Sequence, residues 1–276
     1  MAQQSWRRRL PRWARRWGRR TMRIGRAAIQ VLRRQGRPPC VIGIPMMNLH
    51  EATARVIDDL DFDDFDELII FDHASDDPAS VAWLSEIARR PKVTVDMRGI
   101  IPKESLYRAW NDTIRRALAR FRAREIDVVI LNNDVRIPPG FIRFLTRAMR
   151  SDDPKTMIAY PDETAKLKNG LPSKVELTPT KGLYGDGGMT GWAFALKGEA
   201  FRGDLPFIDE RLKFYSGDRD LVHAVETRGY HAARVNGLPC EHKLGMTRKR
   251  RPDLVEQQNR DIALWWGEHR DGAAGA

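Results

Sequence analysis

An α/β fold, with a mostly parallel sheet flanked by helices, is predicted by three features of the chain. Short apolar runs rich in β-branched residues recur at Val41-Ile42-Gly43-Ile44-Pro45, Leu68-Ile69-Ile70-Phe71, Val93-Thr94-Val95 and Val128-Val129-Ile130-Leu131. Helix-length stretches separate these runs and no hairpin signal joins two of them, so the connections read as crossovers between parallel strands. Three of the four runs stop at polar loops bearing Asn48, Asp72 or Asp134, which collects the reactive side chains at one edge of the sheet. Open α/β sheets bind their ligands at that edge.

The chain has 276 residues, enough to bury a substantial core in one large domain or two small ones. No stretch approaches the ~20 consecutive apolar residues of a membrane span, and arginines interrupt the N-terminus too often for a signal-peptide core. Cys40 and Cys240 are the only cysteines, too few for a disulfide framework or a zinc cluster, and a reducing cytoplasm is the simplest compartment. The net charge of +11 is local. Residues 1–39 hold 13 of the 48 basic residues and no acid, whereas residues 40–276 set 35 basic residues against 37 acids, a net charge of −2.

Residues 1–39 therefore form a basic Arg/Trp-rich leader. Trp6, Leu10, Trp13 and Trp17 recur at helical spacing among the arginines despite Pro11. Residues 5–37 would suit a peripheral helix on an anionic membrane face, an arm that holds nucleic-acid phosphates, or a solvated basic arm, and the sequence leaves these open. Pro38-Pro39 marks the boundary.

The body begins with the strand at Val41 and the loop Met46-Met47-Asn48, followed by a helix from His50 to Leu60. The acid-rich stretch from Asp58 to Glu67 reads as a solvated turn. After the strand at Leu68 comes Asp72-His73-Ala74-Ser75-Asp76-Asp77-Pro78, then a helix from Val81 to Arg90. The strand at Val93 leads to a long helix over about 104–124. The strand at Val128 ends in Asn132-Asn133-Asp134, and Pro139 is placed to open the next helix, where a missing N–H costs nothing. A carboxylate at the end of a buried strand suits a hard cation that bridges to phosphate. Asp162 to Lys181 lacks regularity, and Gly185-Asp186-Gly187-Gly188 reads as a mobile loop. Ser216 can cap a helix that ends at Gly229 and carries Asp218 and Asp220 in its first turn. Thr247 to Arg251 is a basic turn, Leu254 to Trp266 a terminal helix, and Asp271 to Ala276 a frayed end.

The order strand–Pro-x-x-Asn, strand–Asp-His-Ala-Ser-Asp-Asp, helix with Trp110-Asn111, and strand–Asn132-Asn133-Asp134 resembles the family-2 glycosyltransferases of the GT-A fold, a Rossmann-like nucleotide-diphospho-sugar transferase architecture. Gly191 to Leu196, Phe207-Ile208-Asp209-Glu210, Ser216-Gly217-Asp218 through Gly229, and Glu241-His242 resemble the family's acceptor half. The match runs from about Val41 to His242. It implies a transferase domain over 40–246, divided into a nucleotide-binding half (40–150) and an acceptor half (151–246), with residues 247–276 as a C-terminal turn and helix.

The resemblance implies transfer of a sugar, with inversion, from a nucleotide diphosphate, most simply a UDP- or TDP-sugar, to a hydroxyl of a glycan, a lipid-linked sugar or a protein. By the same resemblance Asp218 would be the general base. Asp134 would bind Mg²⁺ or Mn²⁺, with His242 completing that site or touching the diphosphate. Asp72 would meet the nucleobase or ribose. Asn48, Asp77, Asn111, Asn132 and Asn133 would line the donor pocket. Two positions depart from the family, which more often has Asp at Asn132 and Glu at Gly217. A nucleotidyltransferase should show a Gly- and Lys/Arg-rich phosphate loop after the first strand, and Pro45-Met46-Met47-Asn48 does not supply one. An inactive relative that binds membrane or nucleic acid through the leader is the other reading the two departures allow.

Overall fold

A computed structural model describes residues 37–151, 153–180, 188–189, 191–203, 205–242 and 251–269. The leader, the segment 181–187, the basic turn up to Arg250 and the last residues from 270 lie outside these. The chain divides into Met1–Arg37 and a compact unit from Pro38 onward.

The elements of that unit are β1 (Cys40–Met46), α1 (His50–Asp58), β2 (Glu67–His73), α2 (Pro78–Ile87), β3 (Val93–Arg98), α3 (Leu106–Arg120), β4 (Asp127–Leu131), β5 (Val135–Arg136), α4 (Phe141–Met149), β6 (Thr156–Asp162), β7 (Leu177–Pro179), β8 (Ala193–Lys197), α5 (Gly217–Glu226), β9 (His231–Pro239), β10 (Glu241–His242) and α6 (Asp253–His269). Eight strands form one sheet in the order β3-β2-β1-β4-β8-β6-β9-β7. The first four are parallel, β8 runs antiparallel to β4 and β6, β6 is parallel to β9, and β7 closes the edge antiparallel to β9.

Period-2 alternation sorts the strand residues onto two apolar faces. Ile42, Ile44, Leu68, Ile70, Val129 and Leu131 pack with α1, α2 and α4. Val41, Ile69, Phe71, Val128 and Ile130 pack with α3, α5 and Trp265 of α6. Gly43 permits the close approach of α3: a Cβ there would stand 2.2 Å from the Thr113 hydroxyl.

Several elements differ from expectation for local reasons. Pro139 does not open α4; Gly140, at φ +77°, intervenes, and the helix starts at Phe141. The long helix stops at Arg120 because Phe121 is extended. The acid stretch 58–67 is only partly solvated: Asp64 is buried against Arg143, and Asp59 pairs with Arg136 at 2.6 Å. The irregular stretch after Asp162 contains the edge strand β7. No helix among the described residues is long and apolar enough to cross a membrane.

Candidate active site

The carboxyl ends of β1, β2 and β4, the segment entering β8, and the start of α5 surround a cavity of about 440 Å³. Its charged and polar walls include His73, Asn132, Asn133, Asp134, Ser216, Asp218 and His242, and its aromatic walls are Tyr107, Trp110, Trp192, Phe214 and Tyr215. Eight buried side-chain nitrogen or oxygen atoms among the described residues have no hydrogen-bond partner. Four of them, His73 Nε2, Trp110 Nε1, Ser216 Oγ and His242 Nδ1, belong to residues that line this cavity. Unsatisfied buried polar atoms are rare in folded proteins, and half of those found here belong to residues around this one cleft.

Asp134 and His242 meet through a ladder of two residues on each side. β5 pairs antiparallel with β10, with His242 opposite Val135, and this sets His242 Nε2 at 3.0 Å from Asp134 Oδ1. Trp192 stacks on the imidazole at 4.9 Å and 15°, fixing its plane. Neighbouring ligands on an octahedral magnesium with ~2.1 Å bonds stand roughly 3 Å apart, so the pair fits two adjacent positions. Among the described residues no third acid, histidine or cysteine joins them. A hard cation there would keep waters and take phosphate oxygens, as Mg²⁺ ordinarily does.

Asp218 lines the same cleft from the first turn of α5. Its Oδ2 accepts from the Gly191 N–H at 3.1 Å and its Oδ1 from the Arg219 N–H at 2.9 Å. Each oxygen keeps a further lone pair for a substrate. Burial raises its pKa above the ordinary carboxylate value, against the lowering effect of those two amides. Gly191 is small by necessity, since a Cβ there would come within 2.8 Å of the Trp110 ring and 3.1 Å of Asp218 Cβ. Asp220 points elsewhere and accepts from the Asp209 N–H at 3.0 Å. Ser216 is not the side-chain cap expected: its backbone is left-handed at φ 70° and its hydroxyl caps nothing.

The structure brings Asn132, Asn133, Asp134, Asp218 and His242 together and sets the other expected residues outside the cleft. Asp72 is fully buried on the face of Leu68 and Ile70, and both its oxygens serve Ser75. Asn48 accepts from the Asp76 and Asp77 N–H groups at 3.1 Å, and Asp77 caps α2 through Ser80. Asn111 is buried, with its amide exchanging two hydrogen bonds with the Ile208 backbone at 2.8 and 3.0 Å.

His73 was missed from the sequence. As the neighbour of Asp72 on a strand it points to the opposite face, into the cleft. Its Nδ1 lies 3.2 Å from the Gly99 carbonyl, which can only accept, so Nδ1 carries the proton. Burial lowers its pKa, and the neutral ring leaves Nε2 as an unpartnered acceptor.

No known protein-family profile matches the sequence, and no curated protein matches it. Solved structures do match. GalNAc-T7 with UDP, GalNAc and Mn²⁺ superposes at a TM-score of 0.56 with 14% identity, over 75% of this chain and 44% of that one. The present chain thus spans less than half the length of that protein. Glucosyl-3-phosphoglycerate synthase from Mycobacterium tuberculosis, with Mg²⁺ and UDP, superposes at 0.55 with 18% identity, over 87% and 82% of the two chains. A further mycobacterial protein gives 0.53 with 18% identity over 87% and 77%. The fold of this chain is the GT-A fold of the nucleotide-sugar transferases.

Proposed function

We propose that the protein is an inverting glycosyltransferase that takes a sugar from a nucleoside diphosphate donor, with Asp218 as general base and Asp134 and His242 holding Mg²⁺ or Mn²⁺. The observation that carries this reading is that the Asp134–His242 pair and Asp218, whose carboxyl burial holds above its ordinary pKa, line one ligand-sized cleft. Fold-level likeness adds support, since two of the similar structures hold UDP with Mn²⁺ or Mg²⁺, and another holds UDP-glucose with phosphoglyceric acid and Mn²⁺.

The order of strands gives the donor a direction. Neighbouring strands stand about 4.8 Å apart, so the end of β2 lies roughly 10 Å from the end of β4, with β8 one strand further on. A diphosphate at Asp134 and His242 then directs the sugar toward Gly191 and Asp218 and the nucleoside toward Met46, Met47 and His73. A divalent metal held by Asp134 and His242 would supply positive charge to offset that of the departing diphosphate. Asp218 accepts the proton of the acceptor hydroxyl as its oxygen bonds to the anomeric carbon and the bond to the diphosphate breaks on the opposite face. That in-line displacement inverts the centre. The aromatic walls exclude water from the reacting carbon.

Calorimetric titration of UDP tests the donor half. Wild-type protein should bind UDP in the presence of Mn²⁺ and weakly without it, and Asp134→Ala should abolish the metal dependence. Absence of binding to UDP, TDP and GDP under both conditions would remove the transferase reading. The His73 acceptor makes a second prediction. Uracil and thymine carry an imide N–H that cytosine lacks, so His73→Phe should weaken UDP by about tenfold and leave CDP nearly unchanged. An unchanged UDP-to-CDP ratio would show that His73 does not read the base.

A further inference from the structure

The resemblance to a transferase ends at His242, yet α6, which follows it, reaches back to the cleft through Gln258. One turn further along α6, Asp261 is 1% exposed and points its carboxylate at the loop preceding α5. Oδ2 accepts from the N–H groups of Phe214 at 2.7 Å, Tyr215 at 2.8 Å and Lys213 at 3.1 Å. Oδ1 accepts from Gln257 Nε2 at 2.8 Å and shares the Lys213 N–H at 3.1 Å. Three consecutive backbone amides converging on one carboxylate make an anion nest, and a buried carboxylate is tolerable only with such partners. The loop needs the arrangement equally, because its amides have no strand or helix to pair with and buried N–H groups must be satisfied.

The other side of the loop is fastened by the start of α3. The Ser105 hydroxyl donates to the Leu212 carbonyl, and the Leu106 N–H donates to the Lys213 carbonyl at 2.9 Å. The loop so held carries Phe214 and Tyr215 into the cleft and delivers Ser216 in its left-handed conformation, from which α5 starts and Asp218 is aimed. A non-glycine residue persists at such a φ only where its surroundings over-determine it. The two fastenings are those surroundings.

We infer that Asp261 is a positioning residue of the active site: α6 clamps the 213–216 loop through it and thereby fixes the acceptor wall and the direction of Asp218. This rests on the transferase reading for its catalytic consequence. Asp261→Asn keeps the shape and removes the charge, turning an amide NH₂ toward backbone donors. In the variant, hydrogen exchange of the 213–215 amides should rise more than tenfold while that of β1, β2 and β4 stays protected. UDP with Mn²⁺ should bind within twofold of wild type. Turnover of the preferred donor, chosen for wild type from UDP-, TDP- and GDP-sugars, should fall by about 100-fold, the scale of an ångström-sized misplacement, with kcat rather than donor KM affected.

Exchange that rises throughout the sheet together with loss of UDP binding would make Asp261 a residue of general stability. A loosened loop with unchanged turnover would deny it a positioning role. Should Asp261→Asn fail to fold, Ser105→Ala loosens the same loop from the other side without stranding a charge, and the same split between donor binding and turnover decides. Wild-type protein that binds no nucleotide and turns over no donor would instead sink the transferase reading, an outcome distinct from each of these.

Discussion

Asp218→Asn should lower sugar transfer by about 10²–10⁴-fold, the usual contribution of a positioned general base, while UDP binding in the presence of Mn²⁺ stays unchanged. Asparagine keeps a carbonyl oxygen for one of the Gly191 and Arg219 amides, turns its NH₂ toward the other, and cannot take a proton. Stability separates lost chemistry from lost fold. Burial raises the Asp218 pKa, so at neutral pH the folded state ionises a group that it disfavours ionising. In the range between the unfolded value of 3.8 and the raised folded value the native state binds more protons than the unfolded one, and stability falls as pH rises through that range. Asp218→Asn removes that cost and gives up one backbone hydrogen bond, so it should melt close to the wild-type temperature. The pH profile of transfer should show an acid limb above the ordinary carboxylate range, because the base form is lost only as pH falls through the raised pKa. An inactive variant that also melts early, or a wild-type acid limb near pH 3.8, would argue against Asp218 as the base.

Much of the fold was legible because period and punctuation act locally. The apolar run of β4 and its abrupt polar end follow from Val128 to Asp134 alone, and the parallel arrangement of β1 to β4 follows from the lengths between them. The site was legible to the extent that it lies at the ends of those strands. Which of two adjacent strand residues enters the cleft was not, because alternation separates Asp72 from His73 without saying which face is hollow; that depends on where α3 and α5 dock. Asn111 and Asp77 carry residue types suited to a donor pocket, but each is consumed by a long- or short-range backbone partner. The meeting of Asp134 and His242 depends on a ladder too short to leave a periodic trace. Asp261 lies 46 to 48 residues from the amides it holds, and nothing in the local pattern of α6 marks it. Ser216 has the residue type of a cap, but that preference assumes an extended backbone and this one is left-handed.

The same geometry gives Gly217 a physical reason. A Cβ built there would stand 2.2 to 2.5 Å from three carbons of the Tyr107 ring. That ring is buried and has little room to yield: it meets Trp110 edge-on at 5.0 Å, and Trp110 in turn meets Phe194 at 5.0 Å. The volume next to Gly217 is therefore already filled by an aromatic side chain from α3. Gly217→Ala should cost about 1–3 kcal/mol through overpacking, read as a lower denaturation midpoint at unchanged slope. Gly217→Glu, which restores the residue more common in the resembled family, should destabilise at least as much and should not raise transfer. The decisive measurement is a double-mutant cycle with Tyr107→Ala, which itself opens a cavity. If the clash is the cause, Gly217→Ala should cost much less in the Tyr107→Ala background than in wild type, a coupling of roughly 1 kcal/mol or more. Additive costs would place the origin of the glycine in the backbone of α5 instead of in the ring it faces.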